Sequence, residues 1–195
     1  MWVWFWGFGV SGDRNSISRA YIHNIVIRVL KKRETPAMKQ QTSQFQEKAA
    51  AHFKQDYNCA QSVLLTMQEY YGIPRNSLIP KIATAFGGGI GRRGSLCGAL
   101  TGAIMAIGLK HGINKPSLKG IEKEKAYEIA LKFYDQFAKE CGSPFCRELI
   151  GYNLTNPDEL ERLRKSNVRE EKCSMFVKKA VEILIILETQ KKPRS

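Results

Sequence analysis

No apolar run in the sequence reaches the ~18–20 residues that a membrane-spanning helix requires. The longest candidate, Leu96 to Leu109, stops at 14 residues and reads as a buried helix. There is no Cys-x-x-Cys, no Cys-x-x-Cys-His and no paired zinc-finger spacing, so covalent c-type haem is not implied. No segment alternates with the period of two that marks a half-buried strand. Histidine is scarce, and His23, His52 and His111 share no motif. A serine or carboxylate hydrolase constellation is not visible. The glycine-rich stretch Gly87 to Gly94, with Arg92 and Arg93, could cradle an anion at a helix start. It lacks the lysine-serine/threonine ending of a P-loop and the flanking strands of a dinucleotide fold.

The net charge of +13 raises the question of nucleic acid. Part of it falls early, on Arg14, Arg19, Arg28, Lys31, Lys32 and Arg33. The rest is mixed with acids along helical stretches, and no nucleic-acid-binding motif accompanies it. A solvated basic surface is the expectation, with no nucleic-acid partner.

The chain has 195 residues, 43% hydrophobic and 25% charged, enough for one domain with a proper core. All three tryptophans, Trp2, Trp4 and Trp6, lie in the first six residues, and nothing later resembles that composition. One reading of residues 1–37 is a membrane-surface helix with a basic flank. The preferred one is an untranslated leader, because Arg33-Glu34 can be encoded as a purine-rich ribosome-binding sequence shortly before Met38. The expected organisation is an extension over 1–37, a single helical domain over 38–190, and a basic tail over 191–195. No basic region precedes the apolar first ten residues and no clean cleavage site follows, so a cytoplasmic protein is expected.

From Thr42 to Lys54, Phe45, Ala49, Ala50 and Phe53 recur at helical spacing. Asn58 can cap a second helix running through Cys59, Val63, Leu64, Met67 and Tyr71, with Gly72 and Pro74 ending it. A third spans roughly Ser77 to Phe86. A flexible loop with five glycines follows. Ser95 then caps a helix from Cys97 to about His111. A long amphipathic helix runs from Ser117 to about Glu140, using Ile121, Tyr127, Ala130, Leu131, Tyr134 and Phe137. Ser143-Pro144 and Asn156-Pro157 open two short helices. The last spans about Glu170 to Leu187. The fold class is all-α, a compact multi-helix bundle.

Four of the five cysteines, Cys59, Cys97, Cys146 and Cys173, fall at or near these helix starts. Free N–H groups and the helix dipole stabilise a thiolate there, lowering a thiol from ~8.5 toward ~4–7. Arg93, Arg147 and Lys172 add positive charge beside them. Cys97 is expected to be unusually acidic. All four are expected to converge on one site, with Cys141, near the end of the long helix, outside it. Gly98 and Gly102 share one face of their helix with Ala106. That face admits close approach by another backbone or a prosthetic group.

Asn58-Cys59-Ala60-Gln61-Ser62-Val63-Leu64, Phe86-Gly87-Gly88-Gly89-Ile90-Gly91, Cys97-Gly98-Ala99-Leu100-Thr101-Gly102-Ala103, Cys146-Arg147-Glu148-Leu149-Ile150-Gly151 and Cys173 together resemble the C-GCAxxG-C-C family of redox-active proteins. The resemblance runs from about Phe45 to Leu187. It carries the family's four cysteines onto Cys59, Cys97, Cys146 and Cys173, and leaves Cys141 incidental. Asp56 stands where the family often has glycine, and aspartate tolerates similar turn conformations. The resemblance implies thiol-based redox work by disulfide exchange, or a cysteine-ligated metal or iron–sulfur centre on the same four residues. Its alternative is a non-enzymatic helical accessory module for a transporter component. The redox partner is not specified by it.

Overall fold

The computed structural model describes residues 35–116 and 121–189. The expectations for residues 1–34, for the start of the long helix at Ser117 and for the 191–195 tail lie outside the described residues. The described residues from Lys39 onward form one compact unit.

Among the described residues there are eight α-helices and no strand. In chain order they are α1 (Pro36–Lys54), α2 (Cys59–Tyr70), α3 (Leu78–Ala83), α4 (Gly98–His111), α5 (Ile121–Cys141), α6 (Cys146–Ile150), α7 (Pro157–Lys165) and α8 (Ser174–Thr189). A 3₁₀ turn, Thr84–Phe86, follows α3, and a π-helical turn, Arg169–Cys173, leads into α8. The all-α expectation holds. No helix among the described residues is long and apolar enough to cross a membrane.

α2 and α4 are the central pair, and α4 also packs on α5 and α8. Their sequences explain the placement. Ala60, Val63, Leu64, Leu65 and Met67 leave α2 with few polar positions to expose, and all are buried. In α4, Ala99, Leu100, Ala103, Ala106 and Ile107 are buried too. Gly102 sets how near the two helices come, because a Cβ there would lie 2.5 Å from the Ala60 carbonyl oxygen and 2.9 Å from its Cα.

Three expectations are corrected. α1 begins at Pro36, ahead of Thr42, where the helical spacing starts, with the Met38 N–H donating to Thr35 Oγ1 at 3.3 Å. Proline fits this first position because its missing N–H would have had no intrahelical acceptor. On α5 the buried stripe is Ile129, Phe133 and Phe137, whereas Tyr127 and Leu131 are 61% and 64% exposed. The stripe of positions four apart carries two phenylalanines, and their larger apolar area decides which face turns inward.

The glycine loop is the third correction, for it is stitched rather than slack. Gly91 N–H donates to Ala85 O at 2.8 Å, Gly94 N–H to Gly88 O at 3.1 Å, and Ser95 N–H to Gly89 O at 3.0 Å. Residues 88 to 92 all have positive φ, including Ile90 at 63° and Arg92 at 65°. The loop's exit pairs with the entry to α6. Cys97 N–H donates to Pro144 O at 2.8 Å, Cys146 N–H to Ser95 O at 2.7 Å, and Arg147 N–H to Gly94 O at 3.0 Å. Gly89 is required here, since a Cβ would stand 2.6 Å from the Cys146 Cβ.

Candidate functional site

Asn58 builds the first corner. Its side chain accepts the N–H groups of Ala60 and Gln61, and Gln61 Oε1 accepts the Asn58 N–H, closing a capping box. Asn58 Nδ2 also donates to Thr84 O at 2.8 Å, and Gln61 Nε2 to Pro80 O at 2.9 Å. The start of α2, and Cys59 with it, is thereby tied to the segment that enters the glycine loop. Cys97 is the residue before α4, Cys146 the first of α6 and Cys173 the last of the π-helical turn.

These elements surround a cavity of about 640 Å³. Cys59, Cys146 and Cys173 line it, and Cys97 does not. Cys97 is 4% exposed and sits in the main core, close enough that charge on it would disfavour ionisation of Cys59 and Cys146. Cys59 and Cys173 lie close enough that each governs the ionisation of the other. Cys173 also packs against a satellite core of Cys146, Ile150 and Leu154. Among the described residues, no three His, Cys, Asp or Glu side chains are arranged to hold a metal ion. The cysteine side chains present here therefore do not fit a four-thiolate centre.

The thiols are far from equivalent. Burial pushes Cys97 up to about 11, although the N–H groups of Ala99 and Leu100 pull the other way. The expectation of an acidic Cys97 is overturned, because its sulfur is withdrawn from solvent into the core. Burial likewise pushes Cys146 up to about 12. Cys59 is held well above the ordinary thiol range, first by its neighbour Cys173 and then by burial. The helix start gives Cys59 little help, because Asn58 has already taken the Ala60 and Gln61 N–H groups. Cys173 alone of the four is lowered, chiefly by Cys59, with Arg169 and Lys172 assisting. Of the two, Cys173 is the one that ionises first, and Cys59 keeps its proton longer.

Cys141 is not on the cavity wall. It lies close enough to Cys97 for charge there to disfavour its own ionisation, and burial pushes it up to about 12. Gly102 is corrected as a cofactor contact, since the space opposite it is filled by the α2 backbone. Gly98 borders both the cavity and Cys59, whose Cβ would lie 3.0 Å from an added Cβ.

Sequence reasoning missed Arg169, which stands on the cavity wall 3.0 Å from Asp56 Oδ1 and 4.8 Å from the Phe53 ring centre. Its signal was available, a basic residue one turn before Cys173. Asp56 itself has φ of 68°, the turn conformation anticipated for it. Arg147 was expected to act on Cys146, but its guanidinium donates to Asn153 Oδ1 at 2.8 Å.

Buried thiols make stability depend on alkali. Between about pH 9 and the folded values of about 11 for Cys97 and about 12 for Cys146, the folded chain keeps protons that the unfolded chain has released. Their contribution is fully present below about pH 9 and falls as pH rises, by at most about 1.4 kcal/mol per pH unit for each thiol. Urea unfolding of reduced protein from pH 8 to 10.5 should show this decline, and Cys97→Ala should make it shallower by one thiol's share, the raised Cys59, Cys141 and Cys146 keeping the rest. An unchanged slope in that variant would mean that Cys97 ionises freely in the fold.

The fold and site define an all-helical domain carrying, on a cavity wall, two cysteines that govern each other's ionisation. The chain belongs to the family described as "Putative redox-active protein (C_GCAxxG_C_C)", whose model matches residues 57–186. It is similar to an uncharacterized protein of Archaeoglobus fulgidus, 32% identical over 133 residues, covering 66% of this chain and 82% of that one. No solved structure matches.

Proposed function

We propose that this protein is a thiol–disulfide redox protein whose exchanging pair is Cys59 and Cys173. The observation that carries the reading is that these two cysteines line one cavity, close enough for each to govern the ionisation of the other. Arg169 and Lys172 favour negative charge on Cys173, so its thiolate is the nucleophile. It attacks one sulfur of an incoming disulfide, that S–S bond breaks, and one half leaves as a thiolate. Cys59 then gives up its proton to a departing thiolate and attacks the Cys173 sulfur. The second half is released, and a Cys59–Cys173 disulfide remains. Two thiols of the protein are oxidised and one disulfide is reduced. Cys146 is the third thiol within reach of the cavity, held protonated until it is called upon.

Peptide mapping after oxidation of the reduced full-length chain tests the pairing. A peptide containing Cys59 should be found linked to one containing Cys173. Recovery of both as free thiols from fully oxidised protein would overturn the proposal.

A further inference from the structure

We infer that the cavity selects a small disulfide whose halves carry carboxylates, and that Arg92 and Arg164 recognise those carboxylates. The inference rests on the Cys59–Cys173 exchange proposed above and adds the class of substrate.

Three observations carry it. The cavity of about 640 Å³ suits a small molecule, within the ~300–1,000 Å³ range of ligand pockets. Its wall is two-sided, with Ile150, Leu154, Leu160 and Leu163 giving an apolar lining and Arg92, Arg164 and Arg169 supplying positive charge. Against these guanidiniums stands Glu170.

The arginines also differ in their engagement. Arg169 is already paired with Asp56 and stacked over Phe53. Arg164 reaches Glu161 at 3.5 Å, with both side chains more than half exposed, a pairing of little worth. Arg92 has no ion-pair partner among the described residues. It is held on the cavity wall at φ of 65°, a conformation that arginine adopts only at a cost. An arginine without an ion pair, on the wall of the cavity that the dithiol lines, can meet the carboxylate of a molecule that presents its sulfur to Cys173. A guanidinium binds a carboxylate through two parallel N–H donors, which would orient the ligand as well as attract it.

In the reaction itself, Cys173 bonds to one ligand sulfur, the ligand S–S bond breaks, and the first carboxylate-bearing thiolate departs. Closure of the Cys59–Cys173 disulfide expels the second. Both ligand halves leave reduced, having taken the two electrons.

Single-turnover oxidation of the reduced, full-length protein tests this with three probes of similar size: dithiodipropionate, bis(hydroxyethyl) disulfide and cystamine. Each rate is divided by that of the same probe with dithiothreitol, which removes intrinsic reactivity. At low salt the anionic probe should lead the neutral one by about tenfold and cystamine should come last. Arg92→Asn, chosen because asparagine accepts positive φ, and Arg164→Gln should each shrink the anionic-to-neutral ratio several-fold. Equal normalised rates, a lead for cystamine or an unchanged ratio in both variants would overturn the substrate class and leave the redox reading standing. Failure of all three probes to oxidise Cys59 and Cys173, while dithiothreitol reacts, would overturn the redox reading and this inference together.

Discussion

Gly102→Ala is expected to destabilise the protein by about 3 kcal/mol or more. A Cβ at Gly102 would meet three main-chain atoms of Ala60, the nearest at 2.5 Å. Main chain cannot rotate aside as a side chain would, so the two central helices must separate along their contact. Overpacking of this kind costs about 1–3 kcal/mol even where side chains can adjust. The helix itself works in the other direction, since alanine gains about 1 kcal/mol over glycine in an α-helix. Gly108 isolates that opposing effect, as it lies on the same α4 with nothing within 4 Å of its added Cβ. Gly108→Ala should therefore raise stability by up to about 1 kcal/mol while Gly102→Ala lowers it sharply. Urea midpoints of the two variants decide the matter. Equal stability would mean that α2 and α4 do not approach as closely as described.

Cys173→Ser is expected to abolish the earliest-ionising phase of iodoacetamide uptake, the one that develops below the ordinary thiol range. Cys97, Cys141 and Cys146 are held protonated by burial, at about 11 to about 12, and react slowly. Cys59 keeps its proton because Cys173 ionises first. One early-ionising thiol is thus expected in the reduced protein. Cys59→Ala should retain that phase but move its midpoint upward, because the neighbour that lowers Cys173 is gone. Cys59→Ser should restore much of the acidity, its hydroxyl standing in for the thiol. A full early phase surviving in Cys173→Ser would place the nucleophile elsewhere.

Much of this was legible from residues alone. Asn58 as a cap, the Asn156–Pro157 start of α7, the Gly98–Gly102 spacing and the turn at Asp56 each follow from a local rule about backbone groups. Ser95 and Ser143 do not cap as expected, since Cys97 and Phe145 hold the cap positions of α4 and α6. The cysteine chemistry was less legible. A helix start offers N–H groups to a thiolate only while they are free, and Asn58, together with the glycine loop's carbonyls, occupies several of those beside Cys59 and Cys146. Cys97 fails for another reason, burial, which depends on what packs over it rather than on its neighbours in sequence. The cavity was not legible either, since Arg92, Leu160 and Arg169 meet there only through tertiary structure. The inward face of α5 was ambiguous because apolar residues occur on more than one side of that helix.

Handedness gives the glycine loop a further meaning. Five consecutive residues, 88 to 92, turn in the sense opposite to that natural for L-amino acids. At Gly88, Gly89 and Gly91 the sense is indifferent, since glycine has no chiral centre. At Ile90 and Arg92 it carries a penalty of roughly 1–2 kcal/mol each. Those two residues are held in place, and the holding comes from the main-chain bonds that join Ala85 to Gly91 and Gly89 to Ser95. Part of the cavity wall is therefore a segment under tension with its shape fixed before anything enters. A ligand that meets it loses little free energy to ordering the wall, and one of the wrong outline finds no slack to exploit.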